Sequence, residues 1–199
     1  MNHQGYNGHT AIGQSDGEKG GLGPCVRRAT AADTVQIAAL VHRASEGMVE
    51  VHASFDCSLE PCVDDWFDSE RVTESKIQDE IRRLQKQGYF LVLDCKSGGL
   101  AAAIHVEMTC RRGYFDWLCV APEYRGHGLS RRLIAIAEAL CEAEGCTAME
   151  MPAAHSRAEH SPWYHSLGYR ERHVAAAGSP PFEPIHIAGR SIRVTKALA

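Results

Sequence analysis

The chain has 199 residues, with 21 Lys and Arg against 25 Asp and Glu, for a formal net charge of −4. That length suits one domain with one sizeable core. The slight acidity excludes a broad nucleic-acid footprint, and no apolar run reaches the length of a membrane span.

Residues 1–24 are rich in Gly, Asn, Gln and Ser and lack the apolar core segment of a signal peptide. Such a composition buries too little to order itself, so 1–24 reads as a flexible leader and 25–199 as the domain. Eight cysteines are scattered without a C-x-x-C. With no secretion signal they suggest a reducing cytosol, and a cytoplasmic location is expected. Cys57/Cys62 and Cys141/Cys146 are close to zinc-ligand spacing. Cys141 falls on the apolar stripe of a helix, where a buried free thiol is ordinary, and no metal is expected. The eleven histidines contain no H-E-x-x-H. His155, His160 and His165 are five apart, which does not put them on one helical face.

Cys25 to Ala29 reads as a short strand. Thr30-Ala31-Ala32-Asp33 then starts a helix: Thr30 can cap, and Asp33 can reach back. Val35, Ile37, Ala38, Leu40 and Val41 give this helix an apolar face. Glu46 to Arg71 has no clean period and reads as loop with a helical turn or two. Thr73 caps the next helix, whose stripe is Ile77, Ile81 and Leu84 and whose end is set at Gly88. Tyr89–Asp94, Leu100–Thr109 and Gly113–Val120 read as strands, the last two joined as a hairpin. A helix carrying Leu133, Ile136, Ala137, Leu140 and Cys141 follows and stops at Gly145. Cys146–Met151 is a strand. Ser161-Pro162 opens a short helix that Gly168 closes. Tyr169–Val174 and Ser191–Lys196 are the last strands. Pro180, Pro181 and Pro184 keep the connection between them extended or turned. This order implies an α/β sheet of mixed direction.

The most informative stretch is Val120-Ala121-Pro122-Glu123-Tyr124-Arg125-Gly126-His127-Gly128-Leu129-Ser130. A strand runs through a glycine turn into a helix. The helix N-terminus offers unpaired N–H groups and the positive end of the dipole, and Arg125 adds a positive charge. That arrangement holds a pyrophosphate. No Lys-Ser/Thr follows, as a P-loop needs, and there is no third glycine for a dinucleotide fingerprint.

Arg-x-x-Gly-x-Ser after Val-x-Pro resembles the coenzyme A loop of the GNAT superfamily of N-acetyltransferases, (Gln/Arg)-x-x-Gly-x-(Gly/Ala). Ser130 stands in place of the last small residue. The resemblance extends in element order from about Val26 to the C-terminus. It implies an α/β acetyltransferase fold: a mixed, mostly antiparallel sheet of about seven strands, helices on both faces, and splayed central strands. It implies acetyl-CoA as co-substrate, with the backbone of Leu118, Cys119 and Val120 against pantetheine. Arg125, Gly126, His127, Gly128, Leu129 and Ser130 would then form the pyrophosphate turn. Trp163-Tyr164-His165-Ser166-Leu167-Gly168-Tyr169 resembles the family's Phe-Tyr-x-x-Leu-Gly-Phe, which implies that Tyr164 lies near the sulfur. Arg157 and His160 stand where the family often has Asn and Ala.

Acetyl transfer needs a deprotonated amine, and an amine of pKa about 10.4 is neutral in roughly one molecule per thousand at pH 7. Tyr164 is the candidate acid for the leaving thiolate. The base is left open between Asp116, Glu107 and a chain of waters. Strand alternation puts Asp116 on one face with Tyr114 and Leu118, and not with Trp117. The acidic run Asp56, Glu60, Asp64, Asp65, Asp68 and Glu70 would attract a cationic acceptor, or is a solvated loop. The first expectation is an N-acetyltransferase for a small-molecule amine, with a homodimer possible. A protein N-terminal or lysine acetyltransferase and a non-catalytic CoA-binding module are the alternatives.

Overall fold

A computed structural model describes residues 22–45, 73–84, 87–95, 98–151, 161–174, 185–187 and 190–198. Most of the expected leader, the acidic run and His155 to His160 lie outside the described residues. Strand β1 (Leu22–Arg28) leads through a 3-10 turn (Ala31–Asp33) to α1 (Thr34–Ser45). Helix α2 (Glu74–Arg83) precedes β2 (Gly88–Cys95), β3 (Leu100–Thr109) and β4 (Arg112–Val120). Then come α3 (Leu129–Ala143), β5 (Ala148–Met151), α4 (Ser161–Ser166), β6 (Arg170–Val174), β7 (Ile185–Ile187) and β8 (Arg190–Ala197).

The eight strands form one sheet in the order β1-β2-β3-β4-β5-β8-β6, with β7 beside β8. Every pairing is antiparallel except β4 with β5. The mixed α/β sheet is therefore as expected, with one strand more. Strand β1 starts at Leu22, opposite Cys95, three residues before the expected start and inside the segment assigned to the leader.

Helices cover both faces. Leu129, Leu133, Ile134, Ala137 and Cys141 of α3 pack on one side of β2 and β3, against Leu91, Leu93, Ile104 and Val106. Ile37, Leu40 and Val41 of α1, with Ile77 of α2, pack on the other, against Phe90, Val92 and Ala103. Alternate residues of one strand thus serve two cores, which makes β2 a nearly continuous apolar run.

Local chemistry sets the helix ends. Thr73 Oγ1 accepts the Lys76 N–H at 3.2 Å, as its capping role predicts. At the turn before α1, Asp33 reaches back as expected: its Oδ2 accepts both the N–H and the hydroxyl of Thr30, at 2.7 and 3.0 Å. Arg27 donates to Asp33 and Asp94, tying β1 and β2 to this turn. Gly88 does not end α2. It opens β2, where a Cβ would lie 2.3 Å from the Val106 carbonyl, so close strand approach requires the glycine.

Two irregularities in β4 shape the rest. Between the pairs Ala103↔Cys119 and His105↔Asp116, the residues Trp117 and Leu118 oppose Ile104 alone. This is a β-bulge, and Trp117 has φ +47°, a left-handed conformation that costs a bulky residue about 1–3 kcal/mol. Alternation breaks there. Trp117 joins the face of Asp116, its ring 6.2 Å from that of His105, while Leu118 turns to the α3 face. The expectation that Asp116 shares a face with Leu118 and not Trp117 is thereby reversed. Second, the parallel ladder pairs Arg112, Gly113 and Tyr114 with Ala148, Met149 and Glu150, and among the described residues goes no further. From Phe115 to Val120, β4 has no pairing with β5 among the described residues. The central strands are splayed.

Candidate active site at the parting of two strands

The parting ends at the turn before α3. Pro122–Tyr124 forms a 3-10 turn, and Gly126 and Gly128 follow at φ +78° and +74°. A Cβ on either glycine would meet nothing within 4 Å, so both face open space. The first bond of the helix runs from the Arg132 N–H to the Gly128 carbonyl. The N–H groups of Leu129, Ser130 and Arg131 precede it and have no acceptor within the helix. The first turn holds no acidic residue, while Arg131 and Arg132 lie in it, so the dipole and the side chains favour an anion.

His127 Nδ1 lies 3.2 and 2.9 Å from the carbonyls of Tyr124 and Arg125. Carbonyls only accept, so Nδ1 carries the proton and Nε2 is left to solvent or ligand. Arg125 differs from its expected role. Its guanidinium donates to the Ala44 carbonyl at 2.7 Å, so its charge sits in the last turn of α1 rather than over the glycines. Arg43 bonds Glu123 at 2.5 Å, a second link between α1 and the turn.

Along the parting, Leu118 and Val120 are half-buried and Cys119 is buried. Their β3 side is taken: Val120 pairs with Ala102, Cys119 with Ala103, and the Ala121 N–H bonds the Ala101 carbonyl at 2.9 Å. Burial pushes the Cys119 thiol up to about 12, which makes it inert at neutral pH.

Tyr164 comes from α4 and is buried, its ring 6.4 Å from Phe115 and 6.3 Å from Tyr169. Gly168 at φ +95° turns the chain so that the Tyr169 N–H returns to the Tyr164 carbonyl at 3.1 Å. Tyr169 donates to Glu138 at 2.7 Å and Lys196 donates to the same carboxylate, locking α4 to α3 and β8. Burial, and then the charge of Asp116, hold the Tyr164 phenol above its ordinary range, so it is protonated at neutral pH.

The two carboxylates lie on one face of β3 and β4, both buried. Arg83 of α2 holds both oxygens of Glu107 and also bonds Glu80. Asp116 accepts the Trp117 N–H at 2.6 Å. Between them lies His105, opposite Asp116 and two residues from Glu107, which sequence reasoning passed over. Its signal was the alternation His105, Glu107 within a strand otherwise apolar on that face. Among the described residues, no group of three or more His, Cys, Asp or Glu is placed to hold a metal ion, and no helix is long and apolar enough to cross a membrane.

A mixed sheet parted between β4 and β5, with an open glycine turn and a helix N-terminus at the parting, is the fold of the acetyltransferases. Residues 86–171 match the family described as acetyltransferase (GNAT) domain. No curated protein matches the sequence. The PaiA N-acetyltransferase of Thermoplasma acidophilum, solved with coenzyme A, superposes with TM-score 0.62 at 15% identity, over 86% of this chain and 97% of its own. A GNAT-family acetyltransferase of Staphylococcus aureus Mu50 gives 0.60 at 12%, over 87% and 98%. A phosphinothricin acetyltransferase of Sinorhizobium meliloti, solved with AcCoA, gives 0.60 at 15%, over 87% of both chains.

Proposed function

We propose that this protein is an acetyl-CoA-dependent N-acetyltransferase for a primary amine of a small molecule. The observation that carries the reading is the parting itself: among the described residues β4 has no β5 partner after Tyr114, and it runs six residues to the turn before α3. Its unpaired edge suits the amides of pantetheine, and the N–H groups of Leu129, Ser130 and Arg131 suit the pyrophosphate. Gly126 and Gly128 admit the phosphates without a side chain in the way, and His127 and Ser130 border them.

Transfer is direct. The amine nitrogen attacks the thioester carbonyl, and the sulfur leaves with the proton of the Tyr164 phenol. The raised phenol suits a donor, because it arrives protonated. Glu107 is the weaker of the two carboxylates as a base, since Arg83 occupies both its oxygens. Asp116 has the stronger claim. Acetyl-CoA thiol release, measured with small amines, with peptides bearing a free N-terminus or a lysine, and with no acceptor, tests the reading. Release with the small amines supports it. Release with peptides alone moves the substrate to proteins, and binding of CoA without release makes the domain a non-catalytic module.

A further inference from the structure

The sequence spaces Cys141 and Cys146 five apart, and the end of α3 brings them together. The helix stops in a Schellman motif. The Cys146 N–H bonds the Cys141 carbonyl at 2.9 Å, the Gly145 N–H bonds the Glu142 carbonyl at 2.9 Å, and Gly145 is left-handed at φ +82°. Such a stop sets the third residue from the helix end against the second residue beyond the cap, a contact commonly made by two apolar side chains. Here both are cysteines, both thiols are free, and both are buried. The Cys141 thiol hydrogen-bonds the Cys146 sulfur. Strand β4 lies beneath: a Cβ on Gly113 would stand 2.5 Å from Cys141 Sγ, so the glycine makes room for the sulfur. Residues 142–145, over the pair, are exposed. The two cysteines differ in access. Cys146 lies between α3 and β5, where opening of the last helical turn uncovers it first. Arg111, from the turn between β3 and β4, donates Nε to the Gly145 carbonyl at 3.3 Å. Burial raises the Cys146 thiol and Glu144 adds to that, while the bond from Cys141 and the charge of Arg111 pull it down. The donor, Cys141, keeps its proton, so Cys146 is the first of the pair to ionise.

We propose that Cys141 and Cys146 are a modification site, a dithiol that closes to an intrachain disulfide by exchange with a small-molecule disulfide. The proposal does not depend on the acetyltransferase reading. The Cys146 thiolate attacks one sulfur of the small disulfide. A new S–S bond forms to Cys146, the original S–S bond breaks, and one small thiol leaves with the proton that Cys146 gave up. The Cys141 sulfur then attacks Cys146 and displaces the second small thiol, which takes the proton of Cys141. Two protein thiols are oxidised, and the small disulfide is reduced to two thiols. The product suits its place, since a disulfide is apolar and has no proton to lose where burial opposes a charge. Where small thiols are in excess, the same two steps run backwards and the pair rests reduced.

The test is peptide mapping by mass spectrometry on the full folded chain, with Cys110→Ser to remove an exposed thiol. The protein is held overnight with oxidised glutathione, and the remaining thiols are then blocked. The tryptic peptide 133–157, which contains both cysteines, should be two hydrogens lighter than its reduced form and carry no block. Dithiothreitol should restore both thiols. With one cysteine removed, the order of attack shows: Cys141 in Cys146→Ala should take up glutathione at least about 10-fold more slowly than Cys146 in Cys141→Ala. Both thiols still free, a glutathione adduct that persists on Cys146, or a bridge from either one to another cysteine overturns the proposal. A bridge that forms only in denaturant overturns it too, because the native helix stop would then not be what joins them. The unsubstituted pair gives the main readout, so poor folding of either alanine variant leaves the test intact.

Discussion

Arg83 and Glu107 meet through two parallel hydrogen bonds, Nη1 to Oε1 at 3.0 Å and Nη2 to Oε2 at 2.7 Å. The pair joins α2 to β3, with the carboxylate 5% and the guanidinium 48% exposed. Removing a partner from a fully buried pair costs about 3–5 kcal/mol. The exposed half of this one is screened, so Arg83→Met should cost about 1–3 kcal/mol in urea unfolding. Adding Glu107→Gln should return part of that loss. Glu107→Gln alone should leave kcat within about threefold; a loss beyond 100-fold would restore Glu107 as the base.

Gly128 caps α3 in a left-handed conformation with open space where a Cβ would stand. Gly128→Ala should cost about 1–2 kcal/mol from backbone strain alone. Gly128→Asp adds a negative charge where the phosphates are proposed to sit, and should weaken CoA binding by more than about 100-fold. Calorimetry on the folded variants separates the two effects. Unchanged affinity in Gly128→Asp would remove the turn from the cofactor site.

Tyr164→Phe keeps the ring between Phe115 and Tyr169. It should lower kcat by about 10-fold to 10²-fold and leave CoA affinity within a few-fold. A phenol held above its ordinary range also predicts no basic limb from Tyr164 near pH 10 in kcat. Wild-type turnover by the Phe variant would remove Tyr164 as the acid. Lost CoA binding would make its hydroxyl a cofactor contact.

Burial pushes the thiols of Cys119 and Cys141 up from 9.0 to about 12. The unfolded chain therefore ionises them first. Their contribution to stability is intact below about pH 9 and is lost as pH rises toward 12. The melting temperature should fall across that window, and less steeply in Cys119→Ala/Cys141→Ala. In the native state an alkylating reagent at pH 8 should label the exposed Cys110 long before either buried thiol.

Much of this was legible from side-chain period and turn chemistry. Leu100–Thr109 has both its predicted ends, because a glycine turn precedes it and a second turn follows at once. Thr73 caps α2, and Gly145 and Gly168 stand just beyond helices at positive φ, because few other residues take that conformation. Trp117 was not legible: a bulge adds one residue with no mark in the alternation, and an indole at positive φ is one that propensity argues against. Gly88 misled for the opposite reason, since a glycine after a helical stripe reads as a cap, and only the paired strand explains it. Strand β7 spans three residues, too few to show a period. The pairing of His105 with Asp116 needed the register of β3 on β4, which no local pattern carries.

Among the described residues, the sheet has unfilled ladder positions in its middle, beside Phe115 to Val120, as well as at its two rims. A molecule with amides along its length, lying there, would act as a ninth strand. Binding and folding would then draw on the same bonds, and the native state would gain stability with the logarithm of the occupant's concentration. Product release would take that strand out again at every turnover, so the departure of CoA can limit the rate as readily as the chemistry does.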